Sequence, residues 1–256
     1  MQPFGLLTAA GKRIGRAGFD FLFPPACTLC GEELPSEKAS RLALCEKCQH
    51  ALQEHAHGPT CQRCGAAVGP YLDSRNGCGH CRRDRFAFTN VIRLGLYEGP
   101  LRTACLRGKQ RGATGLLMAV ADLTWQLVEA QFRAAAVDVV VPVPHHWMQR
   151  IARPHNPAEV LARCWSRRLH VLWGPHILAK RRLTKPQTRL TPRERRLNVR
   201  NAFSVTQHVD LQKRRVLLVD DVLTTGTTAD EAARQLRHAG ASAVVVAVLA
   251  RGLGRR

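Results

Sequence analysis

Two hundred and fifty-six residues suffice for one large domain or two small ones, and a hydrophobic content of 45% permits a packed core, which excludes a chain disordered throughout. Aromatic residues are only 5% of the chain, so that core must be aliphatic, built from Val, Leu and Ala. Lys and Arg number 39 against 19 Asp and Glu; the formal charge of +20 excludes an acidic solvating chain and favours polyanionic partners such as nucleic acid, phosphates or an anionic surface.

No window reaches ~18 consecutive apolar residues, so no transmembrane helix is expected. Near the N-terminus Lys12, Arg13 and Arg16 precede an apolar patch from Phe19 to Phe23. That patch is shorter than the roughly 7–15 residues of a secretory core and lacks a small-residue cleavage site. Phe21, Leu22 and Phe23, followed by Pro24-Pro25, read as an anchor packing on the folded body, within a helical segment over residues 1–26. A cytoplasmic protein is expected, and a reducing compartment reserves cysteines for metal or catalysis.

Eight of the ten cysteines fall into four CxxC pairs: Cys27/Cys30, Cys45/Cys48, Cys61/Cys64 and Cys78/Cys81. A CxxC places two thiolates on one tight turn, aimed at one ion. Two such turns about a dozen residues apart close a tetrahedral all-thiolate site. Gly31 and Gly65 follow the second cysteine of their knuckles, where a left-handed backbone suits the turn. The pattern occurs twice, which predicts two structural zinc sites in a module over residues 27–87. The alternatives are a redox CxxC, disfavoured without an adjoining βαβ pattern, and an iron–sulfur cluster. First-with-second and third-with-fourth pairing is adopted; a cross-braced pairing satisfies the same spacing. His50, His55, His57 and His80 are read as surface residues, and Cys105 and Cys164 as buried packing.

From about residue 88 the character changes, and residues 88–256 read as one α/β domain. Thr89 to Tyr97 reads as a strand. Residues 99–112 suggest a mobile basic loop with a short helix at its start. Residues 113–133 carry the helical stripe Leu116, Leu117, Val120, Leu123, Leu127 and Val128. Val137 to Val141 is a buried strand running into Pro142 and Pro144. A helix follows over 157–170, then a short strand between Val171 and Leu178. Residues 180–215 are a basic stretch with few hydrophobic residues. Val216 to Val219 is a second buried strand, Thr228 to His238 a helix closing at Gly240, and Val244 to Leu249 a further strand. Strands alternating with helices predict a parallel sheet, with ligands at the carboxyl ends of its strands.

The most informative segment runs from Val216 through Asp220, Asp221, Thr224, Thr225, Gly226, Thr227 and Thr228. An apolar strand delivers two adjacent carboxylates, then a hydroxyl-rich turn opens a helix. Backbone N–H groups of such a turn and of the helix N-terminus cradle a phosphate, with the threonine hydroxyls as further donors. Gly226 lets the backbone approach the oxygens. Two carboxylates beside a phosphate would repel it unless they hold ribose hydroxyls or a magnesium ion.

This run resembles the phosphoribosyl pyrophosphate signature of type I phosphoribosyltransferases. With four CxxC knuckles in front, residues 21 to 251 resemble the ComF family of competence proteins, which includes the GntX group. Val141-Pro142-Val143-Pro144 is similar to the family's pyrophosphate-side loop. Lys109-Gln110-Arg111-Gly112 is similar to its lysine-containing loop. Thr184-Lys-Pro-Gln187 and Arg195 to Phe203 resemble its Gln, Arg and Asn stretch. The chain departs from the pattern at Arg153-Pro154-His155-Asn156-Pro157, where two prolines restrict the backbone, and at Asn201, which stands in place of a glycine.

The resemblance implies a type I phosphoribosyltransferase-like parallel sheet behind a double zinc ribbon. It implies transfer of a ribose 5-phosphate group from phosphoribosyl pyrophosphate, assisted by magnesium. Asp220 and Asp221 would serve the ribose hydroxyls and, indirectly, the metal, and stabilise cationic character on the ribose. Thr224 to Thr228 would hold the 5′-phosphate. Arg107 and Lys109 would fold over the pyrophosphate, and His145 and His146 would lie on the pyrophosphate side. It also implies handling of imported single-stranded DNA in natural transformation. Two other functions fit the same fold. One is a DNA-binding module using Lys180 to Arg215, where twelve basic residues face two acidic ones. The other is an adaptor docking through the zinc ribbons, for example to a helicase of the DNA-uptake machinery.

The charge is unevenly placed. Residues 1–90 carry 11 basic and 8 acidic side chains, and residues 180–215 alone carry +10. Eight thiolates around two zinc ions would bring the first part to about −1 and the chain to about +16. The excess therefore belongs to the phosphate-binding half.

Overall fold

The computed structural model describes residues 24–34, 43–56, 58–74, 77–146, 155–184, 192–206 and 209–253. The anchor reading of Phe21 to Phe23, the role of Arg153 and Pro154, and the Lys185 to Gln187 match lie outside these residues.

Five parallel strands, β1 (Asn90–Leu96), β2 (Val139–Pro142), β3 (Leu172–Trp173), β6 (Arg215–Val219) and β8 (Ala243–Arg251), make one sheet in the order β1-β8-β6-β2-β3. The two-residue β7 (Val222–Leu223) continues the β6 chain alongside the end of β8. Every pairing in this sheet is parallel, which explains the uninterrupted apolar runs: strands covered on both faces have no solvent side to mark with polar residues. β8 is buried along all nine of its residues.

One face is covered by α3 (Thr114–Ala134) and α4 (Pro157–Leu169). Leu116, Leu117, Val120, Leu123 and Val128 of the predicted stripe are buried there, and Phe132 and Trp165 fill the seam, with ring centroids 5.0 Å apart. The Trp165 Nε1 donates to the Ala121 carbonyl at 3.1 Å, so the large ring brings no unsatisfied donor into the core. The other face is covered by α6 (Thr227–His238) through Ala229, Ala232, Ala233 and Leu236.

The basic stretch holds more structure than its composition suggested. β4 (Leu178–Lys180) pairs antiparallel with β5 (Phe203–Val205), and α5 (Pro192–Val199) lies between them in the chain. Leu178, Val199, Ala202 and Phe203 are buried beneath this flap. Arg182 donates from Nη2 to the carbonyls of Asn198 at 2.9 Å and Arg200 at 2.8 Å, closing the end of α5. Asn201 adopts the left-handed backbone its side chain tolerates, with φ of 56°.

The two ribbons repeat one turn. Cys27 N–H donates to Glu32 and Gly31 N–H to Cys27 in the first; Cys61 to Ala66 and Gly65 to Cys61 do the same in the second. Gly31 and Gly65 have φ of 83° and 69°, the conformation expected of them. Helix α1 (Glu46–Glu54) starts at the second knuckle and buries Leu52. The module is fastened to the sheet. Val91 N–H on edge strand β1 donates to the Gln62 carbonyl at 2.8 Å. His55 is half-buried rather than a surface residue: its backbone oxygen lies 2.6 Å from where a Cβ on Gly95 would sit, and its ring is as close to a Cβ on Gly99. Gly95→Ala is therefore expected to destabilise the chain by about 1–3 kcal/mol through overpacking against rigid backbone, read as a lowered midpoint in denaturant unfolding.

Candidate functional site

The carboxyl end of β6 carries Asp220 and Asp221. Asp220 N–H donates to Ala247, and the Asp221 carbonyl accepts from Leu249 and Ala250, so both residues are fixed by the neighbouring strand β8. The chain then enters the hydroxyl-rich turn. Thr225 and Thr227 hydroxyls lie 2.7 Å apart. Gly226 is the residue before α6, with φ of 79°, a conformation a β-carbon would strain. Gly226 brings no side chain to the helix start, and the Thr227 N–H makes only a long 3.5 Å contact to the Thr225 hydroxyl. The positive end of α6 and its leading amides thus meet the turn, the arrangement that suits a phosphate. The sequence-predicted strand, carboxylates, turn and helix are all in place.

Asp220 and Asp221 line a cavity of about 120 Å³ together with Lys109 and His145. Its far wall is His155, Asn156 and Pro157. Asn156 is the N-cap of α4, accepting from Ala158 N–H at 3.1 Å, and its Nδ2 donates to the Val143 carbonyl at 3.1 Å. Pro157 takes the first helical position, where its missing N–H costs nothing. The helix expected over 157–170 thus begins at the proline that restricts the loop before it. His155 Nε2 lies 3.1 Å from the Gly108 carbonyl, tying this wall to the turn that bears Lys109.

Lys109 Nζ stands 3.0 Å from Asp221 Oδ2. Burial opposes the lysine charge, but the Asp221 carboxylate, with Asp220 behind it, more than offsets that and raises its pKa. Asp220 is in the opposite position. Burial and the neighbouring Asp221 charge push its carboxyl up to about 8, with Lys109 only partly countering them. A carboxyl so placed gains from any cation brought beside it. A hard, oxygen-seeking divalent ion such as magnesium fits this donor set.

The two basic residues expected over the pyrophosphate separate. Lys109 lies in the cavity; Arg107, the last residue of α2 (Gly99–Arg107), donates from Nη1 to the Leu29 carbonyl in the first zinc knuckle. His145 lines the cavity and His146 is buried. Lys180, on β4, was not singled out in the sequence; burial lowers its pKa while Asp220 pulls it upward, so the flap brings a second ammonium into the field of the carboxylates. Cys105 is buried, and burial together with the Asp221 charge raises its thiol to about 12, which keeps it inert.

The cysteines form two sets, Cys27/Cys30/Cys45/Cys48 and Cys61/Cys64/Cys78/Cys81, with the four Sγ atoms of each within 4.8 Å of one another. This is the sequential pairing. Sulfur separations of 3.7 Å for Cys30–Cys45, 3.7 Å for Cys61–Cys81 and 3.6 Å for Cys64–Cys78 match the edge of about 3.8 Å that Zn–S bonds of ~2.3 Å impose on a tetrahedron. Burial opposes ionisation at Cys27, but N–H groups of Cys45, Cys30 and Leu29 outweigh it and hold the thiol at about 6. Thiolate is the form a metal needs. Among the described residues no helix is long and apolar enough to cross a membrane.

Residues 18–82 match the model of the double zinc ribbon domain family, and residues 178–256 that of the phosphoribosyl transferase domain family. Among solved structures, glutamine phosphoribosylpyrophosphate amidotransferase from B. subtilis shares 23% identity over 57% of this chain, with a TM-score of 0.34; the chain spans about a quarter of that protein. The DNA utilization protein YhgH of Escherichia coli K12 is 29% identical over 233 residues, 90% of this chain and 98% of that protein. Competence protein F of Haemophilus influenzae is 30% identical over 212 residues, 81% of this chain and 90% of that protein. With a double zinc ribbon in front of a phosphoribosyl transferase domain, the chain belongs to the competence protein F family.

Proposed function

We propose that this protein binds phosphoribosyl pyrophosphate with magnesium at the carboxyl end of β6. The observation that carries the reading is the pair of carboxylates leading through a hydroxyl-rich turn directly into the positive end of α6. Thr224, Thr225, Gly226, Thr227 and Thr228 hold the 5′-phosphate, Asp220 and Asp221 the ribose hydroxyls, and Lys109 and His145 the pyrophosphate side. Lys109 leaves Asp221 for the pyrophosphate when the ligand enters, because the ligand oxygens carry more charge than one carboxylate. The acceptor would enter beside the β4–β5 flap. In the cell this site serves competence and DNA utilization, the terms in which the Haemophilus and Escherichia relatives are named.

A thermal-shift series tests the reading. Phosphoribosyl pyrophosphate with magnesium at about a hundredfold over its Kd is expected to add ~2.7 kcal/mol, roughly 5–10 °C in Tm for a chain of this size. Nucleobases added on top report an acceptor. Absence of any shift with the sugar phosphate overturns the proposal.

A direct contact with single-stranded DNA has its own support. Arg163 lies 5.5 Å over the Trp173 ring, and Leu172 beside it on edge strand β3 is 66% exposed. Arg167 and His170 line the same groove, an aromatic platform beside positive charge. This face, rather than the aromatic-poor 180–215 stretch, is expected to give oligonucleotide affinity that falls steeply with salt; a flat salt dependence removes the reading.

A further inference from the structure

The phosphate loop rests on the second cysteine cluster. Arg251, the last residue of β8, is only 7% exposed. Its Nε donates to the Cys64 carbonyl at 2.7 Å. Its Nη1 donates to the Leu223 carbonyl at 3.1 Å and also to the carbonyls of Thr224 and Gly252. One rigid guanidinium therefore spans a zinc-knuckle turn and the residues that enter the loop. Because its donors point in fixed directions, it sets an angle between the two as well as a distance.

Two further contacts make the same link. Phe86 packs on the cysteines of this cluster and stacks on Phe88 with centroids 4.5 Å apart. The stacked pair lies directly under Gly226, where a β-carbon would come within 3.2 Å of Phe86. Ala87 N–H donates to Asp230 Oδ1 at 2.6 Å, in the first turn of α6. The first cluster makes its connection elsewhere, to the end of α2 through Arg107 and Leu29.

Charge explains why an arginine can be buried here. Arg93, on β1 and 5% exposed, donates from Nε to the Gly65 carbonyl at 2.6 Å, beside Arg251. Two buried guanidiniums against carbonyl dipoles alone would cost several kcal/mol. A zinc ion with four thiolates carries a net charge of −2, the countercharge the two arginines need.

We propose that Arg251 makes the second zinc site a positioning device for the phosphate loop: metal in the Cys61/Cys64/Cys78/Cys81 cluster sets the backbone of residues 223–228. By reciprocity, a ligand on the loop strengthens metal retention in that cluster and not in the first. The reciprocal half rests on the ribose-phosphate reading above; the positioning half does not.

The test uses the full zinc-loaded chain as wild type, Arg251→Lys and Arg251→Met. Hydrogen exchange of amides 223–230 is expected to rise about tenfold or more in Arg251→Met, with β6 unchanged and both zinc equivalents retained; Arg251→Lys, which reaches one set of carbonyls, gives an intermediate rise. Should Arg251→Met fail to fold, the lysine variant carries the measurement. Unchanged exchange at the loop overturns the proposal whatever the ligand is. The second readout is zinc release to a chromogenic chelator, with and without phosphoribosyl pyrophosphate and magnesium. The ligand is expected to slow one of two release phases about threefold or more in wild type and in neither arginine variant. A ligand that raises Tm but leaves both phases unchanged overturns the reciprocal coupling. Loosened loop amides in the variants, together with no response of wild type to the ligand, sink the ribose-phosphate reading and leave the positioning role standing.

Discussion

Cys64→Ser is expected to cost the protein far more than Cys30→Ser, although each removes one thiolate from a four-thiolate site. Cys64 is 1% exposed and Cys30 lies at the surface. A structural zinc contributes apparent folding free energies of about 10–16 kcal/mol in isolated finger peptides, so weakening either site is severe. The difference lies in what surrounds the metal. The first cluster has apolar support: Leu29, Leu44 and Leu52 join the main core with Leu101 and Cys105, and remain buried when the metal weakens. Among the described residues the second cluster packs with Ala66, Val68 and Phe86 rather than with the main core, and covers Arg93 and Arg251. Losing its charge leaves two buried cations unpaired, a further cost of about 3–5 kcal/mol for a broken buried pair. Both variants should lose one of two zinc equivalents. The Tm of Cys64→Ser should fall by more than about 10 °C below that of Cys30→Ser, with loosening that spreads into β1, β8 and the phosphate loop. Equal falls in Tm would mean that the two clusters support the fold alike.

Most of the site was legible because its signals are local. Each knuckle is a four-residue turn whose two thiolates are read directly from the CxxC spacing, whereas the choice between sequential and cross-braced pairing came from the sulfur positions. Asp220 to Thr228 form one continuous junction of strand, turn and helix, so order along the chain is order in space. What could not be read is carried by long-range contacts. Arg251 ends an apolar strand, and its partner Cys64 is 187 residues away. Nothing in the run Ala243 to Arg251 marks its last residue as buried. Arg107 and Lys109 looked equivalent on one basic loop. Arg107 closes a helix turn that faces the first knuckle, and Lys109 comes after Gly108 has turned the chain toward the carboxylates. The flap was missed because strands of three residues are too short to show a period of two.

Asp220→Asn is expected to stabilise the free protein while removing its ligand, two effects of opposite sign in one variant. The Asp220 carboxyl has a folded pKa of about 8 against an ordinary 3.8. The native state therefore keeps a proton that the unfolded chain releases, so stability contributed by this group falls as pH rises from about 4 to about 8 and stays low above that. Asparagine keeps the shape and removes the penalty. The gain should be absent near pH 4, grow across this window, and reach a few kcal/mol at pH 8, or roughly 5–10 °C in Tm. Asp221→Asn should behave oppositely, because it strips Lys109 of its partner 3.0 Å away and leaves its ammonium facing a neutral amide. Both single variants, and Asp220→Ala combined with Asp221→Ala, should lose the thermal shift with phosphoribosyl pyrophosphate and magnesium. Stability profiles between pH 4 and pH 9, each recorded with and without the ligand, separate the two effects: a stabilised Asp220→Asn chain that no longer responds has lost chemistry rather than structure. A destabilised one would show that Asp220 is ionised in the free protein. The carboxylate strain would then be no part of how the site attracts its cation.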